Sequence, residues 1–394
     1  MNNKPKILIA GGGYADIPLI LAAKKLGFYV ITSGNKPEEL GHLHSDEYRK
    51  ADFSDPEAML DLSIENDISA ICACCNDFSA LSCAYVAEKL GLPGHDSFEV
   101  AKTIHHKNLY REFAITNNIP TPKAVGIRSL KEALHASDSL TFPLIIKPID
   151  LTGGKGITTI YEKNQVPEAI KKALHISRAK RAVIEEFITG SRHGFSAFLR
   201  NKRVVFSFSD NEHYYLNPYL VAAASTPTIV PDSAKTELIE VSEKIASLLS
   251  LKSGIFHIQY ILHKGKPVII EICRRAPGDL YIKLVEYSTG VDYPNWIVRA
   301  SAGLDCNDIE FVEPKGFFTR HCIMPSCSGT IKKIYFDPSL GNKIFDKLMW
   351  WKPGDQITDV LTSKFGIVFL KFHSQDEMIT TTERLHSLIF AQIV

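Results

Sequence analysis

Residues 254–278, GIFHIQYILHKGKPVIIEICRRAPG, limit what this chain can fold into more than any other stretch. They read as two apolar strands closed by the turn Lys264–Gly265–Lys266–Pro267. The first strand carries Gln259. The second runs out into Glu271, Cys273, Arg274 and Arg275. Well upstream, after the apolar strand Phe142–Lys147, comes the glycine turn Thr152–Ile157, TGGKGI. A loop of bare backbone amides opposite a strand bearing a carboxylate and arginines suits phosphate on one side and magnesium on the other. Nucleotide-dependent chemistry is the first expectation.

A chain of 394 residues is too long for one ordinary core, so two to three domains are expected. The net charge is +1, from 45 basic and 44 acidic residues, and no global field gathers nucleic acid or an anionic membrane. Eight cysteines occur, and four lie in Ile71–Cys83, ICACCNDFSALSC. The CACC spacing does not suit zinc, and buried free thiols in a reducing, cytoplasmic setting are the better reading. The start MNNKPKILIAGGG reads as a strand entering a glycine turn rather than a signal peptide. No apolar run reaches membrane-spanning length.

Strands at Lys6–Ala10, Tyr29–Thr32 and Ile68–Ala73 alternate with helices at Ile17–Leu26, Glu57–Asn66 and Ser79–Leu90. That alternation predicts a parallel sheet covered on both faces, filling residues 1–97. A mixed α+β unit follows over 98–312, with a lid-like portion at about 123–190. It opens on a helix over Phe98–Asn118 and includes strands at Ala182–Ile188 and Phe195–Ser209, a helix at Ser233–Leu249 and helix over Leu280–Gly303. Residues 313–394 read as a small α+β unit of short strands, closed by a helix over Gln375–Ala391.

Each chemistry-bearing residue has an ordinary alternative. Gly11–Gly12–Gly13 would open a dinucleotide fingerprint, but Asp16 stands where a small residue is needed and Ser33–Gly34–Asn35 where an acid is needed, so a tight turn is favoured. Lys147 could simply end its strand at solvent. With Gly153, Gly154, Lys155 and Gly156 just downstream, a phosphate partner is the stronger reading. In VIEEFI, alternation turns one of Glu185 and Glu186 outward. The other needs a polar cavity, such as one holding an adenine amino group beside the backbone of Phe187 and Ile188. Glu271 alone would be a salt bridge to Arg274 or Arg275. As a magnesium carboxylate, it would share the ion with phosphates and a Gln259 oxygen. His105, His106 and His257 have no ligand spacing.

The ordered set Lys107, Lys147, TGGKGI, VIEEFI, Gln259 and IEICRR resembles the ATP-grasp superfamily along essentially the whole chain. The resemblance implies a preATP-grasp parallel-sheet domain, a central ATP-grasp domain with a mobile lid, and a small C-terminal α+β domain. It also implies ATP and Mg2+ as cofactors. Lys107 and Lys147 would bind phosphates, the Gly153–Gly156 loop would close over them, and Glu185 to Ile188 would hold adenine. Glu271 and Gln259 would hold magnesium, and Arg275 would contact a reacting acyl phosphate; Arg275, Lys147 and Glu271 are the implied catalytic set. Two departures stand out. Cys273 replaces the asparagine of the usual EINPR segment, as tolerated in the branch resembling L-amino-acid ligases. Ser191–Arg192–His193 replaces the ribose acid and looks like the histidine arrangement of biotin carboxylases, which makes His193 the ribose contact.

The resulting expectation is an ATP-dependent carboxylate–amine ligase acting on small-molecule acids and amines, with neither nucleic acid nor membrane as partner and with a homodimer allowed. The rivals are a carboxylase of the same fold, a nucleotide-binding protein with little turnover, and a dehydrogenase. The broken glycine fingerprint argues against the last.

Overall fold

The computed structural model describes residues 4–151 and 153–394. Mostly apolar sequences, KILIA, YVITSG and AICA, make the strands Lys6–Ala10, Tyr29–Gly34 and Ala70–Ala73 nearly continuous buried runs. A sheet covered on both faces demands this. With Glu47–Lys50 at one edge they form a parallel sheet in the order Glu47–Lys50, Tyr29–Gly34, Lys6–Ala10, Ala70–Ala73. Asn76 caps the helix Asp77–Leu90 that follows the last strand.

The glycine turn after Lys6–Ala10 is closed from within. Asp16 accepts hydrogen bonds from the backbone N–H groups of Gly13 (2.8 Å) and Cys75 (2.9 Å). The His42 ring lies where a Gly12 Cβ would be, 2.0 Å away. The turn therefore serves packing, in keeping with the tight-turn reading.

The centre is an eight-stranded sheet in the order Lys266–Cys273, Gly254–His263, Ser191–Arg200, Arg203–Tyr214, Val221–Thr226, Phe317–Ile323, Gly366–Phe372, Ile344–Met349. Residues on both sides of position 312 share it. Opposite stands a smaller antiparallel sheet, ordered Ala124–Ile127, Ala182–Glu186, Leu144–Pro148, Thr158–Ile160 and backed by the helices Leu130–Ser139 and Val166–Ile176. A three-stranded sheet, Gln356–Ile357, Gly329–Phe336 and Ile389–Ile393, completes the C-terminal part.

Three expected helices differ. The run 98–118 is two helices, Phe98–His105 and Lys107–Thr116, because His106 is extended at φ −95°, ψ 117°. The break starts a new helix at Lys107. The run 280–303 splits into Tyr281–Thr289 and Tyr293–Ser301, where Gly290 ends the first at φ 77° and Asp292 caps the second. The closing helix stops at Thr382. After a short turn of helix, Ile389–Ile393 becomes a strand paired with Gly329–Phe336, as its β-branched and aromatic residues favour. Among the described residues no helix is long and apolar enough to cross a membrane.

Candidate active site

A cleft of about 420 Å³ lies between the two facing sheets. It is lined by Lys107, Lys147, Gly153, Gly154, Glu185, Glu186, Phe187, Ile188, Gln259, Glu271 and Arg275. Residues singled out in four separate stretches of sequence thus meet in one cavity. Lys155, Gly156 and His193 do not line it, and Thr152 lies outside the described residues.

At one end the small sheet presents Lys147, whose Nζ donates to Glu185 Oε2 at 2.7 Å. Arg111, on the helix Lys107–Thr116, reaches the other oxygen of Glu185 at 3.0 Å and donates to the Ile270 carbonyl at 2.6 Å. All three side chains are buried. Burial opposes the charge on Glu185, but the Arg111 and Lys147 charges outweigh it and hold the carboxyl down at about 2. Burial lowers the Lys147 pKa, and Glu185 offsets this in part. Two cations on one carboxylate leave a net positive charge at this end, which suits an anionic ligand. Glu186 accepts from the backbone N–H of Thr141 at 3.0 Å, tying the strand Ala182–Glu186 to the segment before Leu144–Pro148.

Lys107, first residue of its helix, donates to Glu271 Oε1 at 2.9 Å and to the Leu151 carbonyl at 3.2 Å. Above it Gly153, Gly154 and Gly156 have φ of 68°, 73° and 70°. A Cβ on Gly154 would lie 2.6 Å from the Cβ of Tyr219, so the loop backbone packs against the Tyr219 side chain as only glycine allows.

The two arginines after Cys273 part company. Arg274 turns away, donating to Asp96 at 2.8 Å and to the Ile255 and Lys252 carbonyls. Arg275 stays at the cleft wall, gripped by Asp77 through Nε at 3.0 Å and Nη2 at 3.1 Å. His105 Nδ1 meets the same carboxylate at 3.0 Å. Arg275 and His105 together hold Asp77 well below the usual carboxylate range against a large burial cost.

The fit to magnesium is economical. Gln259 pairs with Glu271 across the strands, and its Nε2 donates to Glu212 Oε1 at 2.7 Å, which turns its carbonyl oxygen the other way. Glu271 is partly exposed. Burial pushes the Cys273 thiol up to about 12, so a neutral thiol fills the expected asparagine position. Among the described residues no three His, Cys, Asp or Glu side chains converge to hold an ion. One carboxylate and one amide oxygen suit an ion held chiefly by phosphates.

His193 is buried. Its Nε2 lies 2.7 Å from Ser191 Oγ, and its ring is stacked with Tyr260 at 5.5 Å. Burial lowers its pKa to about 4. Its neighbour Arg192 lines the cleft in its place.

Sequence reading missed several residues in the cleft and Arg111, which stands behind it against Glu185. Arg111 looks like any helical arginine, and Asp77 like an ordinary first-turn acid. Asp279 accepts from Tyr14 at 2.7 Å and from Lys364 at 2.6 Å and pairs with Arg320, joining segments from three parts of the chain. Asp210 and Glu212 share a face through strand alternation in Arg203–Tyr214, the one signal available in advance.

Residues 106–309, over half of the chain, match the family model of the carbamoyl-phosphate synthase L chain, ATP binding domain. The chain belongs to this family, and with it to the ATP-grasp superfamily of carboxylate–amine ligases and carboxylases. It is 22% identical over 334 residues to the carbamoyl phosphate synthase large chain of Clostridium botulinum, covering 79% of this chain and 30% of that one. The chain therefore spans less than a third of the length of that relative. In fold it is similar to an L-amino acid ligase from Bacillus licheniformis, with TM-score 0.85, 18% identity and all of both chains covered. It is also similar to the biotin carboxylase domain of the 2-oxoglutarate carboxylase of Hydrogenobacter thermophilus, solved with MgADP and bicarbonate, with TM-score 0.79, 18% identity, and 99% and 91% of the chains covered.

Proposed function

We propose that this protein is an ATP-dependent carboxylate–amine ligase that forms an amide through an acyl phosphate. The observation that carries the reading is a single cleft shared by Lys107, Lys147, the 185–188 strand end, the glycine loop, Glu271 and Arg275. The full-length likeness to an L-amino acid ligase fold supports it over the carboxylase alternative.

In this reading a substrate carboxylate oxygen attacks the γ-phosphorus of ATP and ADP leaves. The amine nitrogen then attacks the acyl carbon, the C–N bond forms, phosphate departs and the amine loses a proton. Lys107 and Lys147 neutralise phosphate oxygens, and Arg275, fixed by Asp77, faces the charge that develops on the transferring group. Magnesium bound at Glu271 and Gln259 would neutralise phosphate charge there. No enzyme nucleophile takes part.

The test is phosphate release with ATP and magnesium across pairs of carboxylic acids and amines, with products read by mass spectrometry. Release that needs both an acid and an amine, with a product lighter than their sum by one water, is expected. Release driven by bicarbonate without an amine would overturn the ligase reading in favour of a carboxylase.

A further inference from the structure

At the end of the cleft away from Lys147, the strand Arg203–Tyr214 presents Asp210 and Glu212 on one face. Asp210 is 1% exposed. Its Oδ1 accepts the Tyr281 hydroxyl at 2.7 Å, while its Oδ2 is buried and has no hydrogen-bond partner. Glu212 accepts Gln259 Nε2 at 2.7 Å and the Tyr214 hydroxyl at 2.5 Å. Neither acid has a cation within salt-bridge distance among the described residues. The nearby cations are committed elsewhere: Arg320 and Lys364 to Asp279, and Arg192 to the Pro218 carbonyl and the face of Tyr214.

An independent group in the same wall points the same way. His257 Nδ1 is buried without a partner, and His257 lines the cleft on the same strand face as Gln259. The unprotonated nitrogen of a neutral imidazole accepts a hydrogen bond. Buried carboxylates carry a large cost unless paired. At Asp210 that cost appears as a carboxyl pushed up by burial to about 7, with the neighbouring Glu212 charge adding to it. The wall is rich in acceptors and lacks a compact cation carrying several N–H donors.

The placement is built into the sheet. Glu271, Gln259, Gly194 and Asp210 form one transverse row across four adjacent strands. Gly194 leaves the space that the Asp210 carboxylate fills; a Cβ there would lie 2.4 Å from Oδ1. Strand spacing puts Asp210 about 10 Å from Gln259, one small substrate away.

We propose that Asp210 and Glu212, with His257 Nδ1, form a recognition site for the ammonium group of an amine or amino-acid substrate. This rests on the cleft being the substrate site of the ligase. A metal is the poorer occupant, since no convergent set of three ligands exists among the described residues.

The test uses the full-length protein and ethylammonium chloride as the probe. Controls are sodium chloride, tetramethylammonium chloride and magnesium chloride at matched ionic strength, and the readout is the melting temperature of wild type, Asp210→Asn and Glu212→Gln. Ethylammonium should raise the wild-type melting temperature by about 1–3 °C beyond sodium at concentrations well above its Kd. Tetramethylammonium, which has charge but no donors, should not. Both variants should lose the response while keeping the stabilisation that ADP gives wild type, which shows that they fold. Equal effects of ethylammonium and sodium on wild type would overturn the site. So would a response to magnesium alone that the variants abolish. Failure of every acid and amine pair to release phosphate, with the ethylammonium response intact, would instead sink the ligase reading and leave the ammonium site standing.

Discussion

At the residue scale, the deciding feature is which buried charge answers which. Lys147 and Arg111 share Glu185, so removing one cation leaves the acid paired. Lys147→Ala should therefore keep the fold and weaken ATP binding about ten- to a hundredfold, the worth of one charged hydrogen bond, as nucleotide titration would read. Unchanged affinity would return Lys147 to a structural role. Glu185→Ala strands two buried cations and should cost about 3–5 kcal/mol in chemical denaturation. Asp210 behaves oppositely with pH. Its folded pKa, about 7, lies above the ordinary carboxylate value near 4, so between those limits the folded state holds more protons than the unfolded one. Stability contributed at this site therefore falls as pH rises through that window. Asp210→Asn removes the loss, and its advantage over wild type in urea midpoint should grow from pH 4 to 7 and then level off. A difference independent of pH would contradict the buried, unpaired carboxyl.

At the element scale, the glycine loop and the broken helix matter most. His106 is extended, so Lys107 begins a helix of its own and meets Glu271 rather than continuing the earlier helix. No glycine or proline marks that break, so local pattern could not reveal it. The loop is different. Its glycines were visible in the sequence, and the structure explains one of them by the close approach to Tyr219. Gly154→Ala must pay about 1–2 kcal/mol for its left-handed φ and must also displace Tyr219. We expect stability to fall by about that amount, together with weaker nucleotide binding and reduced slowing of amide exchange at 153–157 by a non-hydrolysable ATP analogue. Exchange that ignores nucleotide even in wild type would remove the lid role.

At the scale of the whole molecule, ion pairs carry the cleft across sequence-distant units. Asp77 opens a helix of the parallel-sheet unit, yet it grips Arg275 beyond the edge strand of the central sheet. Asp77→Asn keeps the shape but leaves a buried guanidinium without its counter-charge. Denaturant unfolding should weaken by about 3 kcal/mol, and turnover should fall more than ATP affinity, because Arg275 is assigned to the reacting group rather than to the nucleotide. Equal losses in both would make Asp77 purely structural.

Period and punctuation were enough to read the parallel sheet, the hairpin that bears Gln259 and Glu271, the glycine loop and the lysine strand, because each depends on neighbours in the chain. The ordered motifs also carried the family. The C-terminal helix was misread because an apolar tail fits helix or strand until a partner strand is present, and Gly329–Phe336 is that partner. His193 was assigned from its neighbours in sequence, but pairing in the central sheet turns it toward Ser191 and Tyr260. Arg111, Asp77 and the acid pair at Asp210 and Glu212 acquire meaning only when strands distant in sequence lie side by side. A charge costs little in water and much in a buried wall, and burial is set by the tertiary structure rather than by the residue type.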